Sequence, residues 1–302
     1  MPLDWATEVE AVFPVAGALT KPHRWINAGE ESFGRWLLEV RKELLAGRSI
    51  DLRGLHRNAK WIELDGNEDH QRRLAAGLAA PPQKDGKVII LADSMNKAAQ
   101  RGYASQIPGA VVAEAVDPGD LVEFARGFDL SHANALERIA RYLENVMTNF
   151  SAEGLLARLV TIDAGRERTP ASDIELAALA FRQKPTYSAG ADFAGAIAST
   201  GGVRVHRPAM LSGFYQTLRQ CQSQDTITPL EAATTVRERS RTVGRPLAKR
   251  TVRSTLLLKG LEAEVSVILD IDRMDARHFY VASTRGSMRL VICSHHQHVP
   301  VS

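Results

Sequence analysis

The densest chemical signal in the chain is a run of cations. Between Arg237 and Arg253 stand seven basic residues (Arg237, Arg239, Arg241, Arg245, Lys249, Arg250 and Arg253) against one acid, Glu238. The run carries +6 in a chain whose formal net charge is +3, which leaves the remainder at −3. Such asymmetry suits contact with a polyanion, and it equally suits a solvated helix face. No aromatic lies inside the run, so stacking on single-stranded bases would have to come from elsewhere.

Other candidate groups are weaker. His295, His296 and His298 are metal ligands by type, but no Cys, Asp or Glu joins them after Cys293, so a frayed polar tail is expected. Cys221 and Cys293 lie far apart without a nucleophile signature and read as buried thiols. Asp270 and Asp272 follow an apolar segment, as magnesium-binding acids do, yet the usual Asp-Glu pair is absent and they read as loop caps. A phosphate-cradling GxxxxGK[ST] loop is missing, and the one Gly-Lys pair, Gly86-Lys87, enters an apolar run instead of leaving one. The absence of a Ser-His-Asp elbow, of GxGxxG and of metal-ligand spacing argues against an unrelated hydrolase or transferase.

The elements that must position these residues follow from periodicity. Ser32 to Ala46 predicts an amphipathic helix, with Phe33, Trp36, Leu37, Val40 and Leu44 on one stripe and Gly47 as its stop. Trp61 to Leu64, Val88 to Ala92, Ala110 to Ala113, Val265 to Leu269 and Leu290 to Cys293 predict strands. Leu136 to Met147, Asp173 to Phe181 and Asp275 to Ser283 predict helices, whereas Ala164 to Ala171 and Thr186 to Gly202 read as loops. Strands and helices alternate at both ends of the chain, and the middle is mainly helical. The expected class is α/β: a parallel sheet flanked by helices and interrupted by a helical insertion. The corresponding division is 1–129, 130–230 and 231–302.

With 302 residues, 44% hydrophobic and 24% charged, the composition is globular. No apolar run approaches the ~20 residues that span a bilayer. The first residues lack a secretory pattern and two cysteines build no disulfide framework, so a cytoplasmic location is expected.

Near the carboxyl end the chain reads Ser254-Thr255-Leu256-Leu257-Leu258-Lys259-Gly260-Leu261-Glu262, then a strand, then Phe279-Tyr280-Val281-Ala282-Ser283-Thr284-Arg285-Gly286. The pair resembles motifs V ("KGLE") and VI ("YVAxTR") of the UvrD/Rep-type superfamily 1 DNA helicases, in the right order and with 23 residues from Glu262 to Arg285. Leu19-Thr20-Lys21-Pro22-His23-Arg24-Trp25 resembles motif IV, and Val88 to Asp93 resembles the strand that precedes the family's 2B insertion. The likeness covers about residues 3–125 and 231–294.

The resemblance implies a RecA-like 2A domain carrying a shortened 2B-like insertion. It implies that Arg24 and Arg285 project onto the γ-phosphoryl group of a bound ATP, where a permanently charged planar guanidinium stabilises the developing charge. Glu262 would accept a hydrogen bond from the ribose, and Gly260 would let the backbone approach closely. Ser254 and Thr255, with Arg250 and Arg253, would meet DNA phosphates. ATP and Mg²⁺ are expected only in an assembled enzyme, because the Walker A loop, the acidic motif and the glutamine motif all precede motif IV in that family. The expected partners are single-stranded DNA or DNA junctions and a Walker A-bearing 1A/1B half. The alternative is a non-catalytic module that binds DNA or a helicase, or a truncated remnant. It is motivated by Leu256 and Leu257, which stand where the family carries a His and a small polar residue, and by Ala263, which replaces an aromatic.

Overall fold

The computed structural model describes residue 12 and residues 21–113, 119–224, 226–242, 248–255 and 261–300. Six strands form one all-parallel sheet: β1 (Ala59–Glu63), β2 (Val88–Leu91), β3 (Ala110–Val112), β6 (Arg250–Arg253), β7 (Ala263–Ile268) and β8 (Gly286–Ser294). Their spatial order is β1-β8-β7-β2-β6-β3.

Helices cover both faces, which is why the strands read as nearly unbroken apolar runs. Ile89 and Leu91 of β2, Ile268 of β7 and Leu290 and Ile292 of β8 pack on one face against α2 (Glu31–Leu45) and α12 (Ala276–Ser283). Val88 and Ile90, Val265 and Val267, and Val291 and Cys293 point the other way, onto α3 (Asp69–Gly77) and α4 (Lys97–Gln106). The alternation is the period-2 geometry of a strand. The architecture is the RecA-like α/β fold expected from the sequence.

Between β3 and β6 the chain leaves the sheet as a helical insertion. It comprises α5 (Gly119–Arg126), α6 (Ala135–Glu144), α7 (Ala152–Asp163), α8 (Asp173–Gln183), α9 (Tyr187–Ser199), α10 (Pro208–Ser223) and α11 (Pro229–Thr242). Two short antiparallel strands, β4 (Met147–Thr148) and β5 (Arg204–Val205), are its only other regular structure among the described residues. Its core runs from Leu121 to Val236, so α5 and α11 pack with the helices of 130–230. Phe124, Phe128, Tyr142 and Phe214 form an aromatic cluster with ring centroids 4.8–5.5 Å apart.

Two segments differ from the sequence reading. Residues 187–199, within a stretch expected as a loop for its Gly and Ser content, form α9, capped by the Thr186 hydroxyl, which accepts from the Ala189 N–H at 3.0 Å. The small residues serve close packing: a Cβ on Gly190 would lie 3.3–3.5 Å from Ile139, Leu218 and Phe181. The basic run 237–253 is not one face either. Its described parts divide between the end of α11 and β6, a strand in the sheet interior that its polar sequence conceals, and Arg245 lies outside the described residues.

The insertion is tied to the sheet by arginines. Arg204 donates to Ala104 O at 2.9 Å and Ser105 O at 2.8 Å, at the carboxyl end of α4, and also to Ala110 O of β3. Val112 N–H donates to His206 O at 2.8 Å, so the insertion covers the β3 edge. No helix among the described residues is long and apolar enough to cross a membrane.

Candidate functional site

Helix α1 (His23–Asn27) carries Arg24 to the amino-terminal edge of the sheet. The helix lies tightly on α2 because position 34 is glycine: a Cβ there would fall 2.7 Å from Trp25 Cβ and 2.8 Å from Pro22 Cβ. Trp25 is pinned by an Nε1–H bond to Gly286 O at 3.2 Å, and the Arg24 guanidinium sits 5.4 Å from its ring centroid.

From there Arg24 reaches segments more than two hundred residues away. Its Nη1 donates to Thr284 O at 2.5 Å, its Nη2 to Ala263 O at 3.2 Å and to Arg285 O, and its Nε pairs with Glu262 Oε2 at 3.2 Å. The three residues of the motif-IV, V and VI-like segments therefore share one place. Burial pushes the Arg24 pKa below its ordinary value. Glu262 works against that shift, and the nearby charge of Arg285 adds to it. Glu262 itself is open to solvent, with 59% of its side chain exposed.

Arg285 is placed differently. It lies in the turn between α12 and β8, half-buried, and its Nε donates to Val281 O at 2.9 Å along its own helix. Gly286 follows because nothing larger fits: a Cβ would fall 2.8 Å from Ser266 N. Beside this group opens a cleft of about 570 Å³ lined by Arg24, Asn27, Gln83, Glu262, Glu264 and Ser287, among others. Gly260 lies outside the described residues.

The residues expected to meet DNA are at other places. Ser254 and Thr255 follow β6 at the carboxyl-terminal edge of the sheet, and each is only 5% exposed. A strand of the length of β7 separates the two edges, about 20 Å. Arg250, at the start of β6, caps α3: its Nη1 donates to Gly77 O and to Ala79 O at 3.2 Å, a favourable site for a cation at a helix carboxyl end. Arg253, at the end of β6, is 7% exposed, with its Nε buried and unpartnered, and burial pushes its pKa down to about 10. The four residues thus form no exposed cationic surface.

A second polar group at the carboxyl-terminal edge is invisible in the sequence. His295 Nε2 bonds Asp69 at 2.7 Å and Nδ1 bonds Asp272 at 2.8 Å. With a carboxylate at each ring nitrogen the imidazolium form is favoured, and the His295 pKa is raised, chiefly by Asp272 and then by Asp69. Arg73 donates to Leu269 O at 2.9 Å and lies 3.7 Å from Asp270, and Arg273 pairs with Asp93 at 3.1 Å. The histidine tail is therefore tied down, contrary to the frayed end expected. Asp69 and His295 lie 226 residues apart, so no local pattern announces their meeting. Of the two acids expected as loop caps, Asp270 caps locally, accepting from Asp272 N–H at 3.1 Å, whereas Asp272 reaches across to His295 N–H and Ser294 Oγ–H at 2.8 Å each. Among the described residues no group of three or more His, Cys, Asp or Glu could hold a metal ion. Both cysteines are free and buried, as expected.

No family model matches the chain, and no curated protein matches it.

Proposed function

We propose that the chain is the 2A/2B portion of a UvrD-like, ATP-dependent DNA helicase, presenting Arg285, Glu262 and Arg24 to a nucleotide held by a Walker A-bearing 1A/1B half. The observation that carries this reading is the contact of Arg24 with Glu262 and with the backbone carbonyl of Arg285 at the amino-terminal edge of a parallel α/β sheet, beside a cleft that Arg24 and Glu262 line. Groups so placed would act as a charged cap on a phosphate chain that another domain cradles.

The residues present fit only part of that task. The sequence contains no phosphate-binding loop, and Arg24 already spends its donors on Glu262 and three carbonyls. No catalytic step is therefore derived for the chain alone, and its turnover of ATP with Mg²⁺ should be close to nil. In the assembled enzyme DNA would run along a surface shared with the partner half.

The test is purification of the chain with its stoichiometric companions from the native cell, followed by DNA-stimulated ATPase assays of the complex. A companion carrying GxxxxGK[ST] and a loss of about 10³-fold or more on Arg285→Ala are expected. An unchanged rate overturns the proposal. The saturation of Arg24 favours one other reading, a non-catalytic module whose motif residues only hold the fold. On that reading Arg285→Ala leaves DNA or helicase binding intact.

A further inference from the structure

A cationic cavity lies at the seam between the sheet and the insertion, away from the cleft just described. It has a volume of about 490 Å³ and is lined by Arg101 of α4, Asp120 of α5, Arg138 and Arg141 of α6 and Arg207 before α10, with the rings of Phe124 and Tyr142. Four guanidiniums face it, against the carboxylates of Asp120 and Glu123.

Most of these charges are already matched. Asp120 takes both Arg101 and Arg207 at 2.6 Å. Arg141 pairs with Glu137 at 2.7 Å, and Glu123 with Arg126 at 2.6 Å. Arg138 is the exception. No carboxylate among the described residues pairs with it, its Nη2 donates only to Phe124 O at 3.1 Å, and its Nε is buried without an acceptor. The buried Nε is out of a ligand's reach, but Nη1 has no acceptor among the described residues and is open, so it is the group to which a ligand can supply oxygens.

Its position is also fixed in advance. The guanidinium lies against Gly127, where a Cβ would fall 2.9 Å from Nη2 and 3.2 Å from Cζ and Nη1. A glycine that makes room for a flat cation holds it ready for a planar, bidentate partner. Arg141, one turn further along α6, presents its charge to the same space. The volume falls in the range of small-ligand sites, and the two aromatic rings give an apolar wall.

We propose that this seam cavity binds a phosphoryl group, with Arg138 as its bidentate anchor and Arg141 as a second donor. The inference does not depend on the helicase reading. A phosphoryl group could come from a small phosphorylated compound or from the backbone of a DNA strand, and both use the same donors.

Calorimetric titration of the full chain with inorganic pyrophosphate tests it. Saturable binding is expected, weakened about tenfold or more by Arg138→Gln and by Gly127→Ala, and unchanged by Arg35→Gln on the far surface of α2. Arg138→Lys, which keeps the charge and loses the fork, should fall between wild type and Arg138→Gln and serves if the other variants fold poorly. Competition then separates the sources: displacement by a short single-stranded oligonucleotide points to strand phosphate, and displacement by AMP alone points to a small ligand. Absence of pyrophosphate binding overturns the proposal. So does binding that Arg138→Gln leaves unchanged, or that Arg35→Gln weakens equally.

Discussion

Two clefts in this molecule each hold an arginine in their wall and differ in what that arginine has left to give. At the amino-terminal edge of the sheet, Arg24 is spent on one carboxylate and three backbone carbonyls from segments near the other end of the chain. At the seam with the insertion, Arg138 meets a single carbonyl and keeps its Nη1 donors unused. The first arginine is a tie and the second is a socket. An arginine's capacity for a ligand lies in the donors that the protein has not already used, whatever its sequence motif implies.

The largest effect that can break this comparison is on folding. Arg24→Met removes the partner of three carbonyls at one stroke and should cost about 3 kcal/mol in urea unfolding, whereas Arg138→Gln should stay within about 1 kcal/mol. Equal losses would mean that both arginines are structural.

The seam also contains His206, 4% exposed, with Nδ1 buried and unpartnered. Burial first, and then the charges of Arg207, Arg204 and Arg101, push its pKa down to about 4. A depressed histidine pKa means that the unfolded chain binds the extra proton first. Its contribution is complete above about pH 6.5 and lost progressively as the pH falls toward 4, by up to roughly 3 kcal/mol. Acid unfolding of His206→Asn against wild type checks this: the variant should lose much of the slope in that window.

Asp120→Asn takes a carboxylate from the buried Arg207 and from Arg101. Because Asp120 is itself 40% exposed, the expected cost is about 2 kcal/mol instead of the full penalty of a buried pair. The same variant should tighten pyrophosphate binding at the seam by freeing two guanidiniums. Weaker binding would show that Asp120 positions the site instead of competing for it.

The smallest effect has the opposite sign with pH. His295 has a raised pKa, so its bridge to Asp69 and Asp272 contributes fully below about pH 6.5 and is lost as the pH rises through the folded-state value. Melting temperature should fall slightly across that upper window in wild type, and His295→Gln should flatten it.

Much of the sheet was legible because strands covered on both faces keep uninterrupted apolar runs, as Val88 to Leu91 does. Strand β6 was not, because Arg250 and Arg253 make its sequence look like a surface. Each is accommodated by a tertiary detail: the exposed carbonyls of α3 for one, burial at the strand end for the other. Helix α9 is hidden because its Gly and Ser content signals a turn locally, while Gly190 serves tight helix packing. The meeting of Arg24, Glu262 and Arg285 followed from the motif resemblance. The engagement of Arg24 by backbone carbonyls could not, since carbonyls have no sequence signature. The Arg138 socket and the His295 bridge depend on partners far along the chain or on a single glycine, and periodicity reports neither.

The pairing of β1 with β8 bears on how the protein is made. Among the described residues, 59–63 find their strand partner in residues 290–294, and Arg24 closes on residues as late as 285. The insertion, by contrast, builds its core entirely within residues 121–236. On the ribosome the helical module can therefore fold while the sheet still waits for its last strand. Until then β1 and the apolar face of α2 stand uncovered, a window in which a chaperone or a crowded neighbour would meet this chain first.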